Sequence, residues 1–128
     1  MSHDLRKLAE DASSRAHSPY SKAKVGAAVE MSNGKIYQGC NIENASFGGT
    51  VCAERVAIWK AVSEGQMKIK RIYVYTQPGW PPCGMCRQVL AEFVSPDCVL
   101  WCCNNSGDAI TQPFTAIFPQ GFDASHLA

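Results

Sequence analysis

The chain has 128 residues, a formal net charge of +1, 46% hydrophobic and 18% charged residues. That length is enough to bury roughly two-thirds of the unfolded surface around a core, so residues 1–128 are expected to form a single domain. Acidic and basic residues are interleaved, which leaves no footprint for a nucleic-acid backbone or an anionic membrane. No stretch approaches the ~18 apolar residues of a membrane span. Met1 to Lys7 lack the apolar centre of a secretory signal.

Seven cysteines, an odd number that includes the adjacent pair Cys102-Cys103, suit a reducing compartment better than a disulfide framework. A cytoplasmic location is therefore expected. Cys40, Cys98, Cys102 and Cys103 are expected to remain thiols packed in strands or core, because free cysteine behaves as a small buried hydrophobe.

In chain order, the spacing of Leu5, Leu8, Ala9, Ala12 and Ala16 predicts an amphipathic helix from about Ser2 to His17, stopped by Ser18-Pro19. Val25 to Met31 and Lys35 to Cys40 flank Ser32-Asn33-Gly34, whose Asn-Gly pair predicts a two-stranded hairpin. Gly48-Gly49-Thr50 is a loop leading into a helix from Val51 to Glu64, with Gly65 as its stop. Arg71 to Thr76, β-branched and aromatic, predicts a buried strand. Pro81-Pro82 introduces a third helix, about Gly84 to Val94, ended by Ser95-Pro96. Cys98 to Cys103 predicts another strand, and Pro113 to Phe118 a short helical turn. Strands alternating with helices beyond the hairpin imply an α/β protein with a mixed sheet covered on both faces.

Cys52-Ala53-Glu54 and Pro82-Cys83-Gly84-Met85-Cys86 are the chemically telling segments. Both fall at predicted helix N-termini, where free N–H groups and the helix dipole favour thiolates. Cys83 and Cys86, three apart on one turn, can chelate one ion while Cys52 closes a third corner. Three protein ligands leave a tetrahedral Zn²⁺ with an open position for water, the pattern of a catalytic rather than a structural site. Glu54 is then placed to move that water's proton. Three thiolates leave the metal unit formally at −1, which weakens its acidifying effect. Arg55 is a candidate to offset the charge by hydrogen bonding to a cysteine sulfur, its alternative being an ordinary solvated helix charge. Taken alone, Cys-x-x-Cys also fits half a structural zinc knuckle or a redox pair. A structural site would need a fourth ligand from elsewhere, yet His3 and His17 fall in the predicted N-terminal helix and His126 in the tail, and a redox pair gives Cys52 and Glu54 no role.

Cys40-Asn-Ile-Glu-Asn-Ala-Ser-Phe-Gly48, Thr50-Val-Cys-Ala-Glu-Arg55 and Pro82-Cys-Gly-Met-Cys-Arg-Gln-Val-Leu90, in that order and spacing, closely resemble the small homotetrameric cytidine deaminases. Ser18-Pro19-Tyr20-Ser21, Val25-Gly26-Ala27-Ala28 and the tail Pro119 to Leu127 are similar too. The resemblance implies a three-layer α/β/α sandwich with a mixed sheet of about five strands, one catalytic domain and one Zn²⁺ per subunit. It also implies hydrolysis of the 4-amino group of cytidine and 2′-deoxycytidine, with release of ammonia, in pyrimidine salvage. Cys52, Cys83 and Cys86 become the zinc ligands and Glu54 the proton shuttle. Asn41 and Glu43 become partners of the ribose 3′-hydroxyl, with local turn formation as the alternative reading of that pair. The backbone at Ala53 and Pro81 becomes the lining of the base edge. Ala45, Phe47 and Phe122 become contacts to substrate in a neighbouring subunit of a homotetramer, although Phe122 alone would more often be a core or tail anchor.

Two positions depart from the family's pattern: Ala23 stands where Phe is common, and Phe47 where Tyr is frequent. Both are expected to alter the nucleoside pocket. They keep open a deaminase of the same fold acting on another amino-heterocycle or a modified nucleoside. A polynucleotide-editing deaminase would need a basic groove that the balanced charge does not provide.

Overall fold

The computed structural model describes residues 4–127; the predicted helix start at Ser2 and His3 lies outside them. The element order is α1 (Leu5–Ser13), β1 (Gly26–Met31), β2 (Ile36–Cys40), α2 (Ala53–Ser63), β3 (Ile69–Tyr75), α3 (Gly84–Phe93), β4 (Val94–Cys103), β5 (Ala109–Pro113) and α4 (Phe114–Ile117). Short 3-10 turns cover Phe47–Gly49 and Ala124–Leu127.

One five-stranded sheet runs in the order β2-β1-β3-β4-β5. The pair β3–β4 is parallel and the other three pairs are antiparallel. The sheet is mixed, as the sequence implies. Alternation along the strands splits it into two faces. Ala27, Val29, Ile72, Val74, Leu100 and Cys102 pack with Ala57, Ile58 and Leu90 of α2 and α3. Ala28, Tyr75 and Cys103 pack with Leu5 and Ala9 of α1 on the other face. The result is the expected three layers, and each fully buried Ile or Leu contributes on the order of 1.5–3 kcal/mol by leaving water.

Two glycines set how closely the helices approach. A Cβ on Gly26 would clash with the backbone of α1 at Ala9 and Ser13, and one on Gly39 with that of α2 at Ala53 and Ala57. The hairpin turns at Gly34, whose φ of 90° lies in the left-handed region glycine tolerates.

The structure differs from the sequence-based expectation at three places. Helix α1 ends at Ser13, not His17. The Ser13 and Ser14 hydroxyls donate to the carbonyls of Glu10 and Asp11, and His17 instead bridges to Ile42. Strand β4 begins at Val94 and runs through Ser95-Pro96. The register jumps from Ile69↔Val94 to Arg71↔Val99, so the proline sits in an irregular stretch that needs no ladder donor. Strand β5 is not among the strands named from the sequence. It is an edge strand, almost all exposed, and so carries no apolar alternation.

Candidate metal centre

Strands β2 and β3 point the same way, each being antiparallel to β1 between them. Their carboxyl ends and the start of β1 therefore meet on one edge. Gly26 is level with both Cys40 and Tyr75, which brings Val25, Asn41 and Thr76 into a row. Crevices beyond the carboxyl ends of parallel strands are where α/β sheets bind ligands.

Cys52 is the N-cap of α2 and Cys83 the N-cap of α3, and the buried Cys86 lies on the first turn of α3. Their three sulfur atoms lie within 4.8 Å of one another, with Cys52 Sγ and Cys83 Sγ 3.9 Å apart. Ligands at about 2.3 Å on a tetrahedral zinc stand about 3.8 Å apart, so the donor set fits zinc in both chemistry and size.

Glu54 sits on the first turn of α2 and is 3% exposed. Its Oε1 has no hydrogen-bond partner among the described residues. A buried carboxylate oxygen is costly to leave unpaired, which marks it as a group whose partner arrives with a ligand. Burial, then the neighbouring Cys52 sulfur, pushes Glu54 up to about 7. At neutral pH it can both take and give a proton.

Arg55 Nη2 donates to Cys52 Sγ at 3.6 Å while the guanidinium lies over the Trp59 ring, 5.7 Å from its centroid. Cys52 is held down at about 5, first by a hydrogen bond from Cys86 and then by Arg55. Arg55 is therefore no solvated surface charge. It offsets thiolate charge together with the two helix N-termini.

A cavity of about 260 Å³ opens onto this cluster, and Cys52, Glu54, Cys83, Asn41 and Glu43 are all in its lining. Asn41 and Glu43 anchor the segment before β1. Asn41 Oδ1 accepts from Val25 N at 2.8 Å, and its Nδ2 donates to Ala23 O at 2.8 Å. Glu43 Oε1 accepts from the Tyr20 and Ser21 amides at 2.9 and 3.2 Å, and the Ser21 hydroxyl donates to Oε2. The Ser21 hydroxyl is the main cause holding the Glu43 carboxyl below its usual range.

The chain does not bring Ala45, Phe47 or Phe122 to this cavity. Phe47 lines a separate recess with Tyr20 and Glu43, and Phe122 another with Ala91 and Glu92. Ala45 is exposed in the loop before Phe47. Ala53 is fully buried at the base of α2, and the exposed Pro81 lines the cavity. Ala23, expected in the nucleoside pocket, lines an adjoining cavity instead. Thr76 and Trp80 are among the wall residues that were not anticipated. Thr76 Oγ1 accepts from the Gly79 and Trp80 amides at 2.9 and 2.6 Å, setting the turn that carries the indole. Their only sequence signals are a threonine at a strand's carboxyl end and a tryptophan just before Pro-Pro-Cys.

Residues 1–102 match the family described as the cytidine and deoxycytidylate deaminase zinc-binding region. A cytidine deaminase of Sporosarcina psychrophila is 40% identical over 130 residues, covering 98% of this chain and 96% of its own. One from Halalkalibacterium halodurans is 42% identical over 125 residues, covering 96% and 95%. The crystal structure of cytidine deaminase from Burkholderia pseudomallei superposes with a TM-score of 0.89 at 37% identity, over 95% of this chain and 100% of that one. That of Mycobacterium tuberculosis gives 0.81 at 31% identity, over 95% and 99%.

Proposed function

The chain belongs to the cytidine and deoxycytidylate deaminase family, and from that premise we propose that it hydrolyses cytidine and 2′-deoxycytidine to uridine and 2′-deoxyuridine in pyrimidine salvage. The observation that carries this reading is one cavity lined by two of the three clustered cysteines, by Glu54 with its unpartnered buried carboxylate oxygen, and by the amide of Asn41 and the carboxylate of Glu43. A nucleoside presents matching groups: an aminated ring carbon, and a sugar rich in hydroxyls.

Cys52, Cys83 and Cys86 would hold zinc, which when bound would supply a water of lowered pKa as the nucleophile. The remaining work falls to the protein. Glu54 takes the attacking water's two protons in turn, giving one to ring N3 and the other to the departing nitrogen. A C4–O bond forms, the C4–N bond breaks and ammonia leaves. Asn41 and Glu43 bind the ribose hydroxyl; Glu43 already accepts a hydroxyl from Ser21, which supports that role. The backbone at Ala53 and Pro81 borders the base. Thr76, Trp80 and Pro81 wall the cavity and limit water.

Residues 1–128 act as one catalytic domain, since a single sheet carries both core clusters. The active form is a homotetramer in which Ala45, Phe47 and Phe122 complete a neighbour's cavity. Its support is the exposure of Phe47, Met85 and Phe122, at 74%, 61% and 52%, apolar surface that a lone subunit would leave in water. The enzyme works in the cytoplasm, consistent with seven unpaired cysteines. No helix among the described residues is long and apolar enough to cross a membrane.

The test is ultraviolet and ammonia assay of zinc-loaded protein with cytidine, deoxycytidine, cytosine, CMP and a short single-stranded DNA. Turnover of the two nucleosides, with little for the other three, is expected. Ammonia release confined to the DNA, or absent from every compound, would overturn the reading.

A further inference from the structure

A second cavity, about 420 Å³, adjoins the metal cavity, and Thr76 and Trp80 line both. It is the larger of the two and the mechanism above does not use it. Its wall on the other side is Lys22-Ala23-Lys24. That segment is fixed in place by Asn41, through Ala23 O and Val25 N, and by the Lys22 amide, which donates to Ser18 O at 3.0 Å. Ala23 contributes only a methyl group, which is what leaves the space open. Lys22 and Lys24 are the only charged residues of the lining, no carboxylate borders the cavity, and neither lysine enters an ion pair among the described residues.

The proposed function and the wall shared by the two cavities together orient a substrate toward the second one. With C4 of the pyrimidine at Glu54 and the sugar at Asn41 and Glu43, two ring edges remain. The N3–O2 edge needs hydrogen-bond partners and belongs beside the first turn of α2, whose amides lack intrahelical acceptors. The C5–C6 edge carries only C–H groups and belongs against Val74, Trp80 and Pro81. Beyond that wall, over Thr76 and Trp80, lies the second cavity.

We propose that this second cavity is a subsite for a group on C5 of the pyrimidine, and that the protein deaminates cytosine nucleosides bearing an extended anionic C5 substituent, received over Ala23 between Lys22 and Lys24. The reaction is the same hydrolysis, and the proposal rests on the deaminase function given above. A longer substituent gains apolar contact with Trp80 and Ala23, and its charge meets two unpaired ammonium groups.

The experiment uses full-length, zinc-loaded protein with cytidine, 5-(2-carboxyvinyl)cytidine and the neutral 5-(2-carbamoylvinyl)cytidine, a pair matched in size. The carboxyvinyl nucleoside should retain at least about one-tenth of the kcat/KM of cytidine and exceed the carbamoyl compound by about threefold or more. Ala23→Phe, with Ala23→Leu as the smaller filler, should lower the carboxyvinyl-to-cytidine ratio about tenfold or more. The double change Lys22→Ala and Lys24→Ala should bring acid and amide to parity. A ratio below about one-tenth in the unmodified protein, indifference to both Ala23 fillers, or equal rates for acid and amide would overturn the subsite. Absence of ammonia from cytidine itself would count against the deaminase function alone. Calorimetric binding of the same three nucleosides then decides the subsite by the same ratios.

Discussion

Gly39 of β2 lies directly beneath the first turn of α2, so close that a Cβ on it would stand 2.5 Å from the Ala57 amide nitrogen and nearer still to the Ala53 carbonyl. The same turn carries Cys52 and Glu54. Gly39→Ala must push the helix away from the sheet and should cost about 1–3 kcal/mol, read as a lower urea midpoint. Because the displaced turn holds a ligand and the carboxylate, kcat/KM should fall further than the stability loss alone explains.

Glu54→Gln keeps the shape of the side chain but cannot carry a proton. Turnover should drop by about 10²–10⁴ while zinc, measured by atomic absorption, remains stoichiometric. A near-normal rate in this variant would remove Glu54 from the mechanism.

Cys83→Ala leaves two sulfurs, Cys52 and Cys86. Zinc content after dialysis against a weak chelator should fall well below one per chain, and activity with it. Full zinc occupancy would contradict its place among the ligands.

Phe122→Ala tests whether neighbouring subunits complete each cavity. Light scattering should give a tetramer for the unmodified protein, and the variant should raise KM by severalfold, consistent with loss of an aromatic contact of about 1 kcal/mol, with zinc unchanged. A fully active monomer would refute the shared cavity.

Burial pushes the Cys98 thiol up to about 12 from its ordinary value near 9. Between those values the unfolded chain has lost a proton that the folded chain keeps. This group therefore leaves stability unchanged below about pH 9 and lowers it as pH rises toward 12. Cys98→Ala should flatten the decline in urea midpoint between about pH 8 and about pH 10.5, and an unaltered slope would contradict the burial effect.

The metal centre was legible in the sequence because its chemistry is written in residue type and short spacing. Cys83 and Cys86 share one turn, Glu54 follows Cys52 by two positions, and both segments open helices. Thr76, Trp80 and the cavity behind them were not legible, because they join the site through the register of β1 with β2 and β3. The same limit explains β5, an exposed edge strand without alternation. Asn41 and Glu43 were assigned to a sugar only through the family resemblance, and their hydrogen bonds to residues 20–25 depend on a long-range approach that local pattern does not encode.

The three sulfurs come from two helices separated in sequence by β3, which pairs between β1 and β4. No such triad exists in a chain whose sheet has not assembled, so the complete three-sulfur seat depends on the tertiary fold. Metal choice is then made by a finished three-sulfur hole rather than by loose thiols. Thiolate preference and tetrahedral spacing reject magnesium and calcium, while raw affinity order would otherwise favour copper. Identity of the ion is thereby a property of the tertiary structure, and any change that loosens α2 against α3 should degrade selectivity before it degrades the fold.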